Sequence, residues 1–251
     1  MKLRFWFIIN LLLLASLELL IFKSAWFYAL WIVINVLEIA GIYQLAKNAK
    51  APRPWGRYFL LPLVFLNSIL AYSILVPQNE FLGGLFTQLL FIIILWFNAL
   101  YAQSLKKLWM GMGDSYSNLS ALFSFLSLFF ALAALYGLQL FLNLSYWVII
   151  IIMAALVLLL AKQNFGFGPE KKQYWPFIIL IVFIMVQLAW ALYFLPFDYD
   201  SLGLILALLY YLLINIVKFY LERTLSAKTL KALLLFGGII MVLLILTVRW
   251  R

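Results

Sequence analysis

The chain has 251 residues, 68% hydrophobic and 10% charged, with a formal net charge of +10. Soluble domains carry roughly 45–50% and 25% of these classes, so the composition excludes a water-soluble globule. Cysteine and histidine are both absent, which excludes disulfides, thiol nucleophiles, Ser-His-Asp triads, ordinary zinc sites and axial-histidine haem.

A bilayer core of about 30 Å needs about 20 apolar residues at 1.5 Å rise per residue. Runs approaching that length cover residues 5–22, 26–46, 58–76, 81–102, 117–141, 144–161, 174–195, 201–221 and 230–248. The first follows Met1-Lys2-Leu3-Arg4 and resembles a signal peptide. Leu17 of Ala15-Ser16-Leu17 would precede the cut, however, so an uncleaved span is expected. Short gaps make consecutive spans antiparallel hairpins, with Pro77 and Pro196 at two tips. Trp26, Trp55, Tyr58, Tyr101, Trp109, Tyr174, Trp175, Tyr193 and Trp250 fall at span ends, as interfacial belts do. The expected fold is an all-α polytopic transmembrane bundle of nine spans, forming one integral membrane domain over residues 1–251.

Lysine and arginine set the orientation. Taking alternate gaps as one side places 15 of the 18 basic residues together, from Lys2 and Arg4 through Lys106 and Lys107 to Lys231. The other side holds Lys23, Arg249 and Arg251, with Glu80, Asp198 and Asp200. Under the positive-inside rule the N-terminus is cytoplasmic. Arg249 and Arg251 disfavour an outside C-terminus, which makes eight spans the alternative. The charge is thus an orientation signal, and no basic patch with interleaved aromatics points to nucleic acid. Basic inner loops suit anionic lipid headgroups, at about 1 kcal/mol per residue near the surface.

Residues 57–107 can be laid on residues 173–223, so that Pro77 answers Pro196, Leu82-Gly83 answers Leu202-Gly203 and Asn98 answers Asn215. Transporters often carry such duplications, although any two hydrophobic hairpins share some likeness.

Charges within a bilayer cost at least about 2.5–3.5 kcal/mol at mid-helix, so each needs a reason. Glu18 lies near an outer helix end, within reach of the interface and of Lys23. Glu38 lies roughly 12 Å in from the cytoplasmic surface at 1.5 Å per residue. Asn35 precedes it by one turn on the same face. Asn10, Asn67, Asn98 and Asn215 fall at similar depth on four other spans. This set reads either as interhelical glue or as the lining of a polar cavity in the inner leaflet. Gln88 and Gln187 lie further out, where each either extends a pathway or bonds a neighbouring backbone.

Gly111-Met112-Gly113-Asp114 is similar to the GxGD of membrane aspartyl proteases such as prepilin peptidases and presenilin-like enzymes. That chemistry implies a second aspartate at matching depth, and Asp198 and Asp200 fall on the opposite side. Asp114 reads instead as a helix N-terminal residue, with Ser115 and Ser117 as cap candidates. Phe197-Asp198-Tyr199-Asp200-Ser201 is an acidic outer loop whose charges favour the following helix N-terminus. Gly166-Phe167-Gly168-Pro169 is a cytoplasmic turn without the strand–helix unit of a dinucleotide loop. Gly83-Gly84 and Gly237-Gly238 suit close helix contact or a bend. Asn118-Leu119-Ser120 and Asn143-Leu144-Ser145 match a glycosylation pattern that nothing else supports.

Three function classes remain, in order: a transporter or flippase, a non-catalytic subunit or scaffold with membrane-protein partners, and an intramembrane lipid-handling enzyme. No cofactor is expected. The loops and lack of targeting signals suggest a prokaryotic plasma membrane.

Overall fold

A computed structural model of the chain describes residues 2–22, 24–48, 56–76, 81–109, 113–165, 174–224 and 226–247. Among these, helix accounts for nearly every residue and no strand occurs. The helices are α1 (Lys2–Phe22), α2 (Phe27–Asn48), α3 (Gly56–Ser73), α4 (Phe81–Trp109) and α5 (Gly113–Leu142), then α6 (Tyr146–Phe165), α7 (Trp175–Tyr193), α8 (Tyr199–Leu221) and α9 (Ala227–Thr247). A helix satisfies its own backbone hydrogen bonds, which hydrocarbon demands of any spanning segment.

Six helices, α2 and α4 to α8, are long and apolar enough to cross a bilayer, while α1, α3 and α9 hold shorter apolar stretches. Their surfaces suit that medium. Ile32, Val36 and Ile39 on α2 and Ile239, Val242 and Leu246 on α9 are all exposed, a pattern that water would penalise. Each helix lies within three residues of its expected run except α4 and α6, which run on at their ends, and α5, which starts four residues early at Gly113. Helix α4 continues past Ala102 to Trp109 and α6 past Ala161 to Phe165, because lysine and glutamine extend a helix readily once apolar residues have nucleated it. Asn143 follows α5 with φ 51° and Arg223 follows α8 with φ 55°, left-handed turns that stop each helix. Pro196 lies in the break between α7 and α8.

The chain divides within α5 into two compact units, Met1–Leu119 and Ser120–Arg251. In the first, α1 packs on α2, α2 on α3, α3 on α4 and α4 back on α1, closing a ring of four helices. Leu13, Leu17, Ile34, Phe65 and Phe97 fill its core, where the rings of Phe65 and Phe97 lie 4.4 Å apart.

In the second unit, α6 packs on α7 and α8, α7 on α8, and α8 on α9. Helix α5 meets α8 at Gly203, where an added Cβ would lie 2.8 Å from the backbone nitrogen of Ala133. Gly237 similarly faces Leu212, whereas Gly84 and Gly238 face open space. The Cβ added at Gly237 would come within 2.5 Å of the Leu212 side chain, while Gly203 makes the close approach to backbone.

Candidate functional site

Three helices of the first unit each bring one stripe to a common cleft. Glu38, Gly41, Ile42 and Leu45 recur at helical spacing along α2, and Asn98, Tyr101, Ala102 and Leu105 do so along α4. Ile9 and Asn10 of α1 complete the lining. A Cβ at Gly41 would sit 3.2 Å from Cγ2 of Ile9, so the missing side chain lets α1 and α2 approach closely.

Glu38 is 3% exposed, buried in mid-helix. The Asn98 amide nitrogen donates to Oε2 of Glu38 at 2.9 Å and to Oδ1 of Asn10 at 3.4 Å. Both N–H groups of Asn98 are therefore used, and one amide joins α1, α2 and α4. Oε1 of Glu38 takes no hydrogen bond among the described residues, and none of their lysines or arginines pairs with it. Beside it lies a partly open cavity of about 20 Å³, enough for one water-sized group.

Tyr101 closes the wall below Asn98. Its hydroxyl donates to the carbonyl of Tyr58 at 2.8 Å and lies 3.4 Å from the hydroxyl of Tyr116. Tyr58 and Tyr101 were expected in an interfacial belt, but both are buried. For Tyr101 the reason is that α4 runs on to Trp109, placing it two turns inside the helix end. Tyr58, in the first turn of α3, is covered where its carbonyl meets Tyr101.

Asn35 and Asn67 form a different structure. The amide of Asn67 donates to Oδ1 of Asn35 at 2.8 Å, and that of Asn35 donates back at 3.3 Å. Trp31 Nε1 adds a bond to Oδ1 of Asn67 at 2.7 Å. The remaining amide hydrogens go to the carbonyls of Trp31 and Leu63. Every amide N–H of the pair is consumed, so this is a clamp between α2 and α3. Asn35 turns to α3 while Glu38 turns to α1 and α4.

Asn215 belongs to the second unit and donates to its own-turn carbonyl of Tyr211 at 2.7 Å. The α3–α4 and α7–α8 hairpins fall in separate units, and Asn98 and Asn215, matched in the repeat alignment, use their amides differently. Sequence reading missed Asn164, whose amide reaches Ser124 Oγ at 2.9 Å and the Tyr210 hydroxyl at 3.3 Å. The cue was an amide beyond Lys162, one turn past the apolar run.

Gln88 and Gln187 are exposed. Asp198 is the N-cap of α8 and Asp200 lies in its first turn, matching the expected dipole role. Asp114 lies in the first turn of α5, its side chain outside the described residues. Lys23, Trp55, Pro77, Gly111, Gly166–Pro169 and Arg249–Arg251 lie outside them as well. Among the described residues no group of three or more acids forms a metal site. The chain matches no family model, no curated protein and no solved structure.

Proposed function

We propose that this chain is a transporter- or flippase-type membrane protein whose polar site is the Glu38 cleft. In this reading nine spans form one integral domain in a prokaryotic plasma membrane. The N-terminus is cytoplasmic and the basic inner loops contact anionic headgroups. The observation that carries the reading is a buried carboxylate with one oxygen unbonded beside a cavity. Intramembrane acids are expensive and mark substrate or ion pathways, and here one carboxylate oxygen is left for a ligand. The cleft runs along α2 and α4 toward their last turns, where Lys47, Lys106 and Lys107 stand.

The absence of cysteine makes the test clean. Leu45→Cys, on the cleft wall, should react with a membrane-impermeant maleimide from the basic-loop side, whereas Ile69→Cys in the core should not. A scaffold role draws on α9, where Leu234, Leu235, Phe236, Ile239, Val242 and Leu246 are exposed. If Leu45→Cys stays unreactive from both sides while Lys106→Cys labels, that second reading replaces the first.

A further inference from the structure

We infer that the Glu38 cleft binds a primary ammonium group, and that it rejects anions and quaternary ammonium. The inference rests on reading the cleft as a transport site and names its cargo chemistry.

Three observations converge. First, the α4 side of the polar wall is turned to accept. Asn98 spends both amide hydrogens on Glu38 and Asn10, and Tyr101 spends its proton on Tyr58. Oε1 of Glu38 takes no bond among the described residues. A guest must therefore bring donors. Second, a carboxyl group surrounded by apolar residues such as Ile42, Leu45 and Leu105 holds its charge only beside a counter-charge and otherwise takes up a proton. No described lysine or arginine supplies one. Third, the partly open cavity of about 20 Å³ has room for a water-sized head such as –NH₃⁺, whereas a trimethylammonium brings no N–H donors to the waiting acceptors. The ammonium would point its three N–H donors at Glu38 and the neighbouring amide oxygens. Two sources offer this chemistry, an aminolipid headgroup and a small soluble amine. For the lipid, Lys106 and Lys107, one turn beyond Ala102, would face the phosphate.

The test measures binding to the purified full chain in nonionic detergent, by thermal shift and native mass spectrometry. The probes are ethylammonium, tetramethylammonium, inorganic phosphate, phosphatidylethanolamine and phosphatidylcholine. At least one primary-amine probe should bind ten times or more tightly than its quaternary counterpart, with phosphate inert. Binding of ethylammonium assigns a soluble amine, and binding of phosphatidylethanolamine alone assigns a lipid. Glu38→Gln should weaken that binding at least tenfold, and Ala102→Leu, which fills the cleft and keeps the carboxylate, should block it independently. Equal binding of tetramethylammonium, or unchanged binding in both variants, would overturn the inference. If Leu45→Cys labels yet no amine binds, the ammonium inference fails and the transport reading stands. Amine binding without labelling keeps the ammonium site and removes the open pathway.

Discussion

Asn35 and Glu38 sit one turn apart on α2, yet their surroundings differ in kind. Around Asn35 every amide hydrogen has an acceptor, and Trp31 and Asn67 lock α2 to α3. Around Glu38 a single donor serves two helices, and a carboxylate oxygen is left facing a cavity. Both patches use polar residues one turn apart on one helix, so residue type does not separate glue from site. Hydrogen-bond saturation does. A saturated cluster has nothing left to offer a ligand, while an unsaturated one in hydrocarbon must find a guest, water or otherwise.

The largest effect should come from Glu38→Gln, expected to bring transport in reconstituted vesicles to background while unfolding stability shifts by less than about 1 kcal/mol. Retained transport would place Glu38 with the glue. Asn67→Ala should do the reverse. It removes three interhelical bonds at about 0.6 kcal/mol each and should cost about 2 kcal/mol, read from the unfolding midpoint in graded SDS, with transport retained. Asn164→Ala breaks bonds to Ser124 and Tyr210 and should cost about 1 kcal/mol in the same assay. A larger loss, or lost transport, would make the second unit more than a packed body. Gln88→Ala, on an exposed surface, should stay within about 0.5 kcal/mol, and a clear transport defect there would extend the pathway beyond the cleft.

Helix positions were readable because hydrocarbon imposes a length and an apolarity on every span, and runs such as residues 81–102 carry both. Helix ends were not, since Lys106 and Lys107 continue α4 although they interrupt its apolar run. That error hid Asn164 at the end of α6 and assigned Tyr101 to an interface when it lines the cleft. The site's members were visible as polar residues at a shared depth, but their partition was not. Asn35 faces α3 and Glu38 faces α1 and α4, a division that depends on which helices pack against each side of α2. Trp31 carries no polar signal in a hydropathy pattern, so its bond to Asn67 was hidden as well.

The account depends on water reaching the Glu38 cleft, and maleimide labelling of Leu45→Cys in sealed vesicles of known orientation tests this most directly. Reaction from the basic-loop side, with Ile69→Cys inert, is the result expected. Protection of Leu45→Cys from both sides, in vesicles where Lys106→Cys reacts, would show a dry, packed interior and contradict it.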